Sequence, residues 1–90
     1  MKIKTKKPSV ASINMFKLYI SKWGKDHKNL TPEMRVMYNK DRADMRKVLE
    51  AYKAMDYAKA YKLASNLDTI VRDEIPDMVW DVLEAETNQV

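Results

Sequence analysis

The chain has no cysteine, one histidine, one glycine and three prolines among its 90 residues. Without cysteine there can be no disulfide, no zinc–thiolate or iron–sulfur site and no thiol nucleophile. A single histidine, His27, excludes a multi-histidine metal centre. One glycine leaves few left-handed turns, which argues against an all-β design built on tight hairpins. No apolar run approaches the roughly 18 residues of a membrane span. Met1–Pro8 (MKIKTKKP) is too polar for a signal peptide. These absences predict a soluble, cytoplasmic protein without membrane contact. There is no Gly-rich phosphate loop, no serine nucleophile motif and no paired histidine. His27 beside Asp26 is only an adjacent loop pair, a weak basis for a general base. The expectation is therefore a non-enzymatic protein with no cofactor and no metal.

What is present favours helices. Ala, Lys, Met, Leu, Arg and Glu fill much of the chain, which is 33% charged and 46% hydrophobic. A chain of 90 residues makes one domain. Its core is small, because it buries a little under roughly two-thirds of its unfolded surface. The predicted fold is all-α: a small bundle of three to four helices built round an antiparallel αα-hairpin. The predicted organisation is a basic flexible arm at 1–8, one helical domain at 9–86 and a frayed tail at 87–90.

Local signals divide the domain. The first helix is predicted from Ser9 to Trp23, with Ser9 or Ser12 as N-cap and Gly24 at the C′ position. Ile13, Phe16, Tyr19, Ile20 and Trp23 share one face, whereas Val10 and Leu18 point elsewhere. Apolar residues on a second side suggest a further contact surface, such as a homodimer interface. Thr31-Pro32-Glu33 is a strong helix start, and the second helix is predicted to reach about Ala54. Its core face is Met34, Met37, Tyr38, Met45, Val48, Leu49, Tyr52 and Met55. Asp41 falls within that face; either it is buried against a Tyr, His27 or a Lys, or it sits at a partly exposed crossing.

Asp56 reads as the N-cap of a third helix, Tyr57 to Asp73, with one unbroken helix through Asp56 as the alternative. Ala60, Leu63, Ala64, Leu67, Ile70 and Val71 form its apolar stripe. Pro76 opens a fourth helix at 76–86, lined by Val79, Val82 and Leu83, with Met78 and Trp80 nearby.

Charge is segregated along the chain. Residues 1–29 carry +7, residues 30–62 carry +3 and residues 63–90 carry −6, within a net charge of +4. The basic two-thirds suit a polyanion, and the acidic end suits a basic partner or a second copy of the chain. Arg35, Arg42, Arg46 and Lys53 are spaced 7, 4 and 7 residues apart. On a helix they occupy a stripe ~40° wide, able to track a phosphate backbone. Tyr38 borders the stripe and is the candidate for base stacking. Lys2, Lys4, Lys6 and Lys7 in the arm, with Lys17, Lys22, Lys25 and Lys28, would add long-range attraction. The same stripe also suits a solvated face laced with ion pairs, or an Arg-rich protein contact.

Three resemblances accompany these readings. Leu30-Thr-Pro-Glu-Met-Arg-Val-Met-Tyr38 resembles the Leu-Ser-x-Glu-Glu-Lys-x-x-Tyr stretch of HMG boxes, and Lys6-Lys7-Pro8 with Phe16 resembles the start of that fold. The likeness covers short pieces, lacks about a helix of intervening chain and offers no intercalating wedge. Tyr57–Ala64 resembles half of a tetratricopeptide-type hairpin, and one copy makes no solenoid. In composition the chain resembles small early or accessory proteins of large tailed bacteriophages, being short, rich in Lys, Asp and Met and free of Cys. That likeness implies action in the host-cell cytoplasm on nucleic acid, a host factor or both, and transfers no residue roles. The leading expectation is a non-enzymatic nucleic-acid-binding accessory protein, for RNA or DNA, reading backbone charge and acting on a host nucleoprotein such as a toxin or nuclease. The alternative is a protein inhibitor or antitoxin that docks on a host enzyme through its charged faces.

Overall fold

A computed structural model describes residues 7–25 and 29–87. Five helices occur among these residues, and no strand: α1 Val10–Lys22, α2 Pro32–Lys53, α3 Tyr57–Ser65, α4 Thr69–Arg72 and α5 Asp77–Thr87. The fold is all-α, as composition implies. No helix among the described residues is long and apolar enough to cross a membrane. Residues 1–6 of the predicted arm (1–8), the Asp26–His27 pair and residues 88–90 of the predicted tail (87–90) lie outside the described residues.

The first three helices begin at a side-chain cap. Ser9 caps α1, its side chain accepting from the Ser12 amide at 3.1 Å. Thr31 caps α2 through the Met34 amide at 3.1 Å, and Pro32 takes the first turn, where no N–H is needed. Asp56 caps α3 through the Lys59 amide at 3.4 Å, so a new helix starts there. Chain reversal between α2 and α3 is made by Met55, a non-glycine residue in the left-handed region at φ 63°. The Asp56 amide donates to the Ala51 carbonyl at 2.9 Å and the Met55 amide to the Tyr52 carbonyl at 3.0 Å, which closes α2 as a Schellman motif. α3 then returns along α2, bringing Leu63 and Leu67 beside Asp44 and Lys47.

The predicted third helix is broken in two. Asn66 and Leu67 amides fold back onto the Leu63 and Ala64 carbonyls in tight i→i−3 bonds, and Asp68 is extended at ψ 149°. Asn and Asp compete for local backbone groups, and here that preference interrupts the helix. The break changes the helical phase. Val71 stays buried, but Ile70 is 71% exposed and leaves the predicted stripe. Met37, also assigned to the core face, is exposed as well. Pro76 stands just before α5, its carbonyl accepting from Val79 and Trp80.

One core joins α1, α2, α3 and α5. Phe16, Met45, Val48, Tyr52, Ala60, Ala64, Val79 and Leu83 are its fully buried members. Ala60 and Ala64 carry almost no side chain, which lets α3 approach its neighbours closely. α1 runs opposite to α2: Ser12 near its start meets Tyr52 near the end of α2, and Trp23 at its end meets Asp41. The Ser12 hydroxyl donates to the Ser9 carbonyl at 2.8 Å. Its oxygen lies 2.8 Å from the Tyr52 hydroxyl. With its own proton committed, Ser12 accepts from Tyr52, and every polar atom of this buried relay is satisfied.

Candidate nucleic-acid interface

The end of α1 determines what the cationic stripe can do. Gly24 takes φ 79°, and a Cβ there would stand 2.5 Å from Tyr38 Cγ. Glycine is thus required twice over, by backbone conformation and by the Tyr38 ring beneath it. Trp23 lies edge-on to Tyr38, with ring centroids 5.7 Å apart. Its indole Nε1 donates to Asp41 Oδ2 at 3.0 Å. Asp41 is therefore at a partly exposed crossing, where it accepts from an indole; His27 lies outside the described residues.

Arg42 belongs to the same cluster. Its Nη1 donates to the Trp23 carbonyl and its Nη2 to Asn39 Oδ1. A cation on the last carbonyls of α1 opposes the negative end of that helix's dipole. Arg42 closes a helix end, where the spacing predicted a solvent-facing phosphate ligand. Tyr38 is corrected too: only 8% of it is exposed, and its ring is packed inside the cluster, not offered for base stacking.

The remaining stripe residues keep their heads in solvent. Arg35 and Arg46 are exposed and make no ion pair among the described residues. Lys53 is exposed and pairs with Glu50 at 3.6 Å, a contact of little energetic weight at the surface. Lys7, Lys17, Lys22 and Lys25 are exposed. Lys2, Lys4, Lys6 and Lys28 lie outside the described residues.

Packing of α1 on α2 brings two of these cations together. Lys17 and Ser21 from α1 face Arg46 and Glu50 from α2 across an open groove of about 420 Å³, floored by Ile20 and Leu49. Arg46 also borders a second groove, of about 430 Å³, between α2 and α3, where Lys47 and Lys59 stand with Ala51 and Leu63. Arg46 thus stands between two apolar-floored slots whose rims mix charges: Glu50 borders both, and Asp56 borders the second. Lys47 and Lys59 were not among the residues the sequence singled out. Lys59 reaches α2 only through the reversal at Met55, which no periodicity announces. Lys40, on another side of α2, is held by Asp44 at 3.1 Å, whose hydrogen bond and charge raise the Lys40 pKa.

The acidic end is a separate surface. Asp73, Asp77, Asp81 and Glu84 surround Arg72 and the Trp80 ring, which meets Tyr61 edge-on at 6.0 Å. No family model matches the chain, and no curated protein or solved structure is significantly similar to it.

Proposed function

We propose that the protein binds nucleic acid through the α1–α2 groove, reading backbone charge and doing no chemistry on the bound strand. The observation that supports this most is Arg46: an exposed guanidinium without an ion pair among the described residues, facing Lys17 across an apolar floor. A guanidinium held this way can take a phosphate in a forked geometry. Lys53 continues the line about 10 Å along the helix and Arg35 lies about 16 Å the other way. The antiparallel α2–α3 hairpin is the rigid support in this reading, with Lys47 and Lys59 as a second cationic margin.

Binding of labelled RNA and DNA over a salt series tests the proposal. Affinity should fall steeply with salt, with a log–log slope of roughly −0.7 to −0.9 for each phosphate neutralised. The double reversal K17E/R46E should abolish binding while the helical circular dichroism is retained. No binding at low salt, together with a stable complex with one host protein, would point instead to the inhibitor reading.

A further inference from the structure

The α1–α2 groove holds more than cations. Lys17 and Ser21 stand one turn apart on α1, and Arg46 and Glu50 one turn apart on α2, over a floor of Ile20 and Leu49. Two contacts fix the register of these antiparallel helices, Ser12 with Tyr52 and Trp23 with Asp41. That register sets Lys17 level with Arg46 to within one residue of helical rise, ~1.5 Å. Ser21 and Glu50 then lie toward opposite ends of the groove, each ~6 Å along its own helix from the cation.

Each cation is thus followed by an oxygen. The Ser21 hydroxyl donates to the Leu18 carbonyl at 2.8 Å. With its proton committed, this oxygen offers a ligand only lone pairs. The Glu50 carboxylate also only accepts. Lys53 approaches one of its oxygens at 3.6 Å, and Glu50 stays exposed.

These acceptors discriminate between backbones. Phosphate and deoxyribose carry no hydrogen-bond donor within a DNA strand. A DNA backbone would give Ser21 no hydrogen bond and would meet Glu50 as a like charge. RNA carries one backbone donor per nucleotide, the ribose 2′-hydroxyl, set between its phosphates. A groove that reads the backbone with two donors and two acceptors matches RNA.

We infer that the groove selects RNA over DNA. One phosphate lies between Lys17 and Arg46, a neighbouring 2′-hydroxyl donates to Ser21 Oγ, and Glu50 receives another at the opposite end. The inference rests on the proposed nucleic-acid reading and extends it from charge to sugar. No base is contacted, so the preference holds for any sequence.

Binding of oligouridylate and oligodeoxyuridylate of equal length, which differ only at the 2′ position, tests this. The RNA should bind on the order of fivefold to tenfold more tightly. 2′-Fluoro oligouridylate keeps the RNA sugar pucker but has no donor, and it should bind like the DNA. S21A should at least halve the RNA-to-DNA affinity ratio. Its circular dichroism should be unchanged, because Ser21 is exposed and alanine suits a helix. Equal affinity for the two strands would overturn the inference and leave the phosphate reading intact. No binding of either strand at low salt would overturn both. An RNA preference that survives 2′-fluorination or S21A at full size would also overturn the inference.

Discussion

Arg42 and Arg46 stand one turn apart on α2, yet their guanidinium groups meet different surroundings. Arg42 is spent on the Trp23 carbonyl and Asn39, and Arg46 projects between two grooves. Arg42→Ala should therefore lower stability by about 1–2 kcal/mol, the loss of charged hydrogen bonds at a helix end. For a domain of this size that is a fall in Tm of roughly 5–15 °C in a thermal scan. Arg46→Ala should leave Tm within about a degree or two, because an exposed side chain without a partner contributes little to stability. Gly24→Ala should be as damaging as Arg42→Ala or more so. Left-handed backbone costs a non-glycine residue about 1–2 kcal/mol, and the new Cβ must also displace the Tyr38 ring. In the buried relay, Ser12→Ala strands the Tyr52 hydroxyl at about 1–3 kcal/mol. Adding Tyr52→Phe should cost less than the sum of the two single changes, which a double-mutant cycle in urea would measure.

At the scale of elements, the starts of the first three helices were legible in the sequence, and the packing of α1 on α2 was not. Ser9, Thr31 and Asp56 cap where their side-chain chemistry predicts, because capping is local. Gly24 was legible as the end of α1 for the same reason. The stop of α2 was legible at about Ala54, although the left-handed residue after it is Met55, where glycine is usual. The break after Ser65 was missed because the apolar stripe continues through it on paper, although Ile70 ends up in solvent. Of the candidate site, the angular stripe was visible, but the occupation of Arg42 by the end of α1 depends on packing between helices. The packing of α2, α3 and α5 also sets a pH response. Burial pushes the Tyr57 phenol up to about 12, with Tyr52 and Glu86 adding to the rise. A folded value above the unfolded one, about 10, means that the neutral phenol favours the fold. This contribution is complete below about pH 10 and is lost as pH rises toward 12. Tyr57→Phe should flatten that part of the alkaline unfolding profile, followed by circular dichroism.

Across the whole molecule, charge is divided between two ends, and the fold gives each a surface. The basic helices α1 and α2 edge the groove, while α5 carries its acids outward beside Trp80. Under the proposed function, a polyanion would be drawn to the first surface and repelled by the second, orienting it before contact. Under the proposed function, Arg46 touches a phosphate and Arg42 does not. The most direct measurement is the slope of log binding constant against log salt for the wild type, Arg46→Gln and Arg42→Gln on one oligonucleotide. The account predicts that Arg46→Gln reduces the slope by about 0.7–0.9, one phosphate, and that Arg42→Gln leaves it unchanged. An unaltered slope in a folded Arg46→Gln variant, or an equal loss in Arg42→Gln, would contradict it.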